Sequence, residues 1–64
     1  MAYIAYLYHR NKEFRSDPNP DRLVAARELL NKFPNKKNVT TCREHNGWPT
    51  GSDMRFHTRR ELFP

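Results

Sequence analysis

The chain contains one cysteine, Cys42, and two glycines, Gly47 and Gly51. One cysteine cannot close a disulfide within the chain, which argues against a secreted disulfide scaffold and for a reducing compartment. No thiol-protease signature surrounds Cys42, and two glycines leave no glycine-rich phosphate loop. No apolar run approaches the roughly 20 residues of a membrane-spanning helix. No basic segment followed by a long apolar stretch marks a secretory signal. These absences lead to the expectation of a soluble, cytoplasmic protein without a membrane partner. Core-forming residues are also scarce. Leu, Ile, Val and Phe account for 12 of 64 residues, and the mean hydropathy is −1.06, close to the range of disordered chains. Three tyrosines, one tryptophan and two methionines add apolar area. The expectation is one small compact domain over 1–64, whose core leaves little room for a deep catalytic pocket. There is no internal repeat, low-complexity tract or linker.

Positive charge is plentiful: 12 Lys and Arg face 7 Asp and Glu, for a net charge of +5 and a sequence pI near 9.9. It is uneven, with five basic and four acidic groups in residues 1–31 against seven and three in residues 32–64. A basic surface on the second half points to an anionic partner.

Residues Ala2–His9 are rich in Tyr and Ile and predict a strand with Tyr3, Ala5 and Leu7 on one face and Ile4, Tyr6 and Tyr8 on the other. Residues 10–19 are polar and lead into a Ser16–Pro20 loop. A helix over about 20–33 follows, with Asn19 as cap, Pro20 at its first position and Pro34 as terminator. Leu23, Ala26, Leu30 and Phe33 form its apolar stripe, widened by Val24 and Leu29. Val39–Arg43 predicts a second strand. Asn46-Gly47 is a tight-turn signal inside a longer loop. Asp53–Arg59 predicts a third strand, with Met54, Phe56 and Thr58 on one side and Arg55, His57 and Arg59 on the other. Leu62 and Phe63 fold back as an apolar clip. The fold class expected is α+β, order β-α-β-β, with one helix on a three-stranded, mostly antiparallel sheet. The helix stripe should pack on Leu7, Val39, Met54 and Phe56. A winged-helix-like fragment is the alternative, and it requires a helix over 10–18.

Four groups of residues carry possible chemistry. With Leu7 and Phe56 towards the helix, Tyr6, Tyr8, Arg55, His57 and Arg59 would line an open sheet face. Rings that stack on bases, with arginines on phosphates, are how single-stranded nucleic acid is held. The aromatic RNP pattern of an RRM and the GXXG of a KH domain are both absent. A second mini-core of Tyr6, Tyr8, Trp48 and Phe63 is the plain alternative. Cys42-x-x-His45, with His57 and His9, has zinc-like composition, but the second closely spaced pair of ligands is missing. His45, His57, Glu44, Arg55 and Arg59 contain the groups of a metal-independent ribonuclease. Trp48, Tyr6, Tyr8, Arg55 and Arg59 are interface hot-spot types.

The expectation is a small, basic, non-catalytic binding protein without cofactor or metal. It acts on nucleic acid or the protein machinery handling it, through Tyr6, Tyr8, Trp48 and His57 and a basic face of Lys36, Lys37, Arg43, Arg55, Arg59 and Arg60. One alternative is an inhibitor of a host protein complex, of the size and style of phage or mobile-element accessory proteins. Homodimerisation through the open face and a small ribonuclease are the others.

Overall fold

In the computed structural model, which describes residues 1–64, β1 (Tyr3–His9) and β2 (Lys12–Arg15) form a hairpin. They are followed by α1 (Arg22–Asn31), β3 (Asn38–His45), the two-residue β4 (Trp48–Pro49), β5 (Arg55–Thr58) and the short α2 (Arg59–Leu62). The sheet runs β2-β1-β3, and β4 and β5 lie one after the other along the outer edge of β3. All pairings are antiparallel. The α+β class is as expected, but the order is β-β-α-β-β-β-α, with five strands rather than three and a second helix.

The extra strand comes from the segment expected to be a loop. Arg10 and Asn11 both take positive φ, 53° and 64°, and join His9 to Lys12 as a two-residue turn whose twist suits a hairpin. The same device closes β3 on β4. Asn46 and Gly47 have φ of 53° and 81°, so that turn holds two residues rather than a longer loop. β2 excludes the helix that a winged-helix arrangement needs. Its one apolar residue, Phe14, sits opposite Leu7.

The helix begins two residues later than expected. Asp21, not Asn19, is the cap, and its carboxylate accepts from the Leu23 and Val24 amides at 2.9 and 3.4 Å. Asn19 instead accepts from the Asp21 amide and pairs its backbone with Tyr3, which ties the helix entry to the start of β1. The buried face of α1 is Ala25, Ala26, Leu29 and Leu30. It packs on Ala5, Leu7 and Val39, with Phe14 and Phe33 at the margin. Two alanines bring the helix close to the sheet. Leu23 and Val24 stay exposed.

The largest correction concerns β5. Pairing of Val39 with His57 puts His57, not Phe56, under the helix, and leaves Phe56 76% exposed and Met54 exposed. The place expected for these two is filled by Leu62 from α2, which joins the core. Thr58 caps α2 reciprocally with Glu61, so a four-residue helix can hold Leu62 inward. Phe63 is exposed rather than folded back.

Candidate functional site

The sheet face turned away from α1 carries Tyr6, Thr40 and Phe56 in one register row, with Arg15 beside Tyr6 on β2. Tyr8 lies two residues further along β1, opposite Glu13. Tyr8 is 59% exposed, and its hydroxyl donates to Glu13 at 3.2 Å. Tyr6 is half-buried, and its phenol is held above its ordinary pKa, chiefly by burial and then by the neighbouring Cys42, Tyr8 and Glu13. It is therefore a neutral ring at physiological pH. Tyr6 and Tyr8 are about 7 Å apart along the strand. That is about twice the 3.4 Å step of stacked bases, so each ring has room for one base of a stretched strand. Phe56 stands two strand spacings from Tyr6, about 10 Å.

The rest of this face is closed. Ile4 and Cys42 pair with each other on it, yet are only 1% and 0% exposed. The Arg15 guanidinium stacks 3.9 Å from the centre of the Trp48 ring. These residues belong to β2 and β4, the outer strands of the path, so their contact passes over β1 and β3 and closes that side. Trp48 is 61% exposed and keeps one flank free.

Topology gathers the charge at one end of the sheet. The antiparallel registers bring the end of β1, the start of β3 and the end of β5 together. Arg10, Lys12, Lys32, Lys36, Lys37, Arg59 and Arg60 all fall there, so both halves of the sequence contribute. Apart from Arg59, none of these is in an ion pair or a side-chain hydrogen bond. The charge pairs formed by cations of the chain are Arg15–Glu13, Arg22–Asp53 and Arg43–Asp53, besides His57–Glu61. Lys36 lines a shallow hollow with Tyr6, Tyr8, Asn38 and Thr40, which joins the aromatic surface to the basic end.

Several expected site residues are elsewhere. His57 is 4% exposed and bonded through Nε2 to Thr41 Oγ1 at 2.7 Å and through Nδ1 to Glu61 Oε2 at 3.4 Å. Arg59 is a helix clamp. Its Nε donates to the Lys36 carbonyl, and its Nη2 donates to those of Leu30 and Phe33, at 2.7–2.9 Å. Arg43 lies at the opposite end, beside Asp53 and Met1. Arg55 is exposed on the His57 side of β5, away from the tyrosines. Tyr6, Tyr8, Lys36, Lys37 and Arg60 remain together, and Phe56, which had been expected in the core, joins them.

The other two constellations do not assemble. His45 ends β3 while His57 sits beside Val39, six residues and about 20 Å away along the strand. Cys42 and His57 face opposite sides of the sheet, and His9 packs between Phe14 and Phe33. No group of three or more His, Cys, Asp or Glu gathers around a common point. No helix is long and apolar enough to cross a membrane. No protein-family model, curated protein or solved structure matches the chain.

Proposed function

We propose that this protein binds single-stranded nucleic acid, without cutting it, on the sheet face opposite α1. The observation that supports this most directly is the union of Tyr6, Tyr8 and the outward Phe56 with six unpaired cations at one end of the same sheet. A protein of this size gains nothing in stability from a large exposed ring or from unpaired like charges. Both become useful when bases stack and phosphates neutralise the end. Duplex nucleic acid suits the face poorly, because its bases are already stacked on one another.

Fluorescence anisotropy with a labelled ten-nucleotide strand, as RNA and as DNA, tests the proposal. If about four cations meet phosphates, affinity should fall roughly fifty-fold between about 50 and 200 mM salt. Phe56→Ala should weaken binding by roughly 1–3 kcal/mol, the worth of one stacked base. Its melting temperature should not change, because the ring is exposed. Absence of binding at low salt to either strand would sink the proposal. The rings would then serve a protein partner or a second copy, as hot-spot residues do. In that case sedimentation or co-purification should be lost in Phe56→Ala and be largely indifferent to salt.

A further inference from the structure

The basic end contains a second feature that general attraction to a phosphate backbone does not require. His9, Lys32, Phe33, Pro34, Asn35 and Lys36 enclose an open hollow of ≈ 470 Å³ between the end of β1 and the α1–β3 connection. Lys12 is the register partner of His9, which brings a third ammonium group to its edge. No carboxylate lines the hollow. Glu28, one turn before Lys32, makes no ion pair with it. The side chains of Lys12, Lys32, Asn35 and Lys36 have no hydrogen-bond partner in the protein. The His9 ring is held against Phe33, their centroids 5.3 Å apart, so it is fixed as one wall.

A helix C-terminus is ordinarily a poor place for an anion, because its free carbonyls carry partial negative charge. Here that charge is already answered. Arg59 takes the carbonyls of Leu30, Phe33 and Lys36, and the Lys32 and Phe33 amides bond back to Leu29 and Leu30. The lysines are left free to point their charge at a ligand. The neighbouring hollow formed by Lys37, Asn38, Thr58, Arg59 and Arg60 differs in this respect. Its Arg59 is committed to the three carbonyls, and its Thr58 hydroxyl caps α2.

We infer that the His9–Lys32–Lys36 hollow is a phosphomonoester site, and that it receives the phosphorylated end of the strand whose bases lie on Tyr8 and Tyr6. The inference rests on the nucleic-acid proposal above, since Lys36 lines both this hollow and the one beside the tyrosines. The chemistry favours an end over an internal link. A terminal phosphate carries close to two charges near neutral pH and has three open oxygens, whereas a diester carries one charge. Lys32, Lys36 and Asn35, with His9, can supply donors on several sides of such a group, and charge-assisted bonds of this kind are the strong ones. The hollow takes in His9, the last residue of β1, on the helix-facing side of the sheet, so a strand laid along Tyr6 and Tyr8 would reach it by turning over the end of the sheet at Lys36.

Four versions of one labelled ten-nucleotide strand decide the matter by anisotropy at fixed salt: 5′-phosphorylated, 3′-phosphorylated, phosphorylated at both ends and hydroxyl-ended. One singly phosphorylated form should bind about ten-fold more tightly than the hydroxyl-ended form, the worth of one added charged hydrogen bond. Which form does so sets the strand polarity. In Lys32→Gln with Lys36→Gln the advantage should vanish, while Phe56→Ala should weaken all four strands equally and preserve it. Equal affinity for all four would overturn the phosphomonoester site and leave the single-strand proposal standing. No binding to any strand would overturn the latter. Inorganic phosphate and a nucleoside monophosphate serve as competitors. Full displacement of the phosphorylated strand by either at low millimolar concentration would keep the site but overturn its assignment to a strand end.

Discussion

Arg59→Ala should lower the melting temperature by more than about 12 °C. The guanidinium donates to three carbonyls, of Leu30, Phe33 and Lys36, and the Arg59 amide donates to Lys37 at 2.7 Å. These bonds join α2 to the end of α1 and to the connection into β3. Hydrogen bonds to charged groups are worth roughly 1.5–3 kcal/mol each when buried. The site is part-buried and water can recover some of the loss, so the expected penalty is about 3 kcal/mol for the side chain as a whole. A chain of 64 residues has a total stability of only roughly 3–10 kcal/mol, and each kcal/mol moves the melting point of so small a domain by about 4–8 °C. Arg59→Lys should recover little, because one ammonium cannot span three carbonyls set in a fork. Arg60→Ala provides the contrast. That side chain is exposed and unpaired, so thermal denaturation should be unchanged while strand affinity falls at low salt. If Arg59→Ala melts with the wild type, the clamp is a surface contact and the end of α1 is held by packing alone.

The contrast between Arg59 and Arg60 shows how far residue type alone can assign a role. Both arginines look alike in sequence, and charge counting places both on a binding face. Only the fold reveals that one is consumed by carbonyls. The elements with strong local signals were legible: β1 from its Tyr and Ile run, α1 from its spacing and its flanking prolines, and β3 from its β-branched residues. β2 was hidden because Lys12-Glu13-Phe14-Arg15 is an edge strand with a single apolar side chain, so no alternation is visible. Its trace was Asn11, a residue that tolerates positive φ, beside an arginine that rarely does. Alternation did identify β5, but it assigned the wrong face to the core. The rule that the apolar side points inward assumes a vacancy beneath the helix, and Leu62 fills it instead. The Thr58-x-x-Glu61 capping pattern was present in the sequence and was the clue to that second helix. The placement of Tyr6 and Tyr8 survived because α1 buries Ala5 and Leu7, which fixes the opposite parity of β1.

His57 is the residue whose role changes most, and His57→Ala should destabilise the protein by about 3 kcal/mol. The imidazole is buried beside Val39, and both ring nitrogens are engaged. A carboxylate oxygen only accepts, so Nδ1 donates towards Glu61, and in the neutral ring Nε2 then accepts from the Thr41 hydroxyl. Alanine would leave a cavity and would strand that hydroxyl, whose residue is 0% exposed. The pair can be separated from simple packing by a double-mutant cycle. Thr41→Val and His57→Leu each remove one partner and leave the other unsatisfied, so each should lower stability by roughly 1–3 kcal/mol. The double variant removes both polar groups from an apolar setting and should be more stable than the sum of the single losses by at least about 1 kcal/mol. Urea denaturation followed by far-ultraviolet dichroism reads all four proteins. Additive losses would mean that the 2.7 Å contact carries no coupling and that His57 acts by filling space. The same variants separate structure from chemistry at the proposed binding face. His57 precedes Thr58 and follows Phe56 on one short strand, with its side chain pointing the other way. At a temperature where Thr41→Val/His57→Leu is folded, the rings of Tyr6, Tyr8 and Phe56 stay in register, and strand affinity should match the wild type within about two-fold, or roughly 0.4 kcal/mol. A folded double variant that no longer binds would place the buried histidine in the recognition step itself.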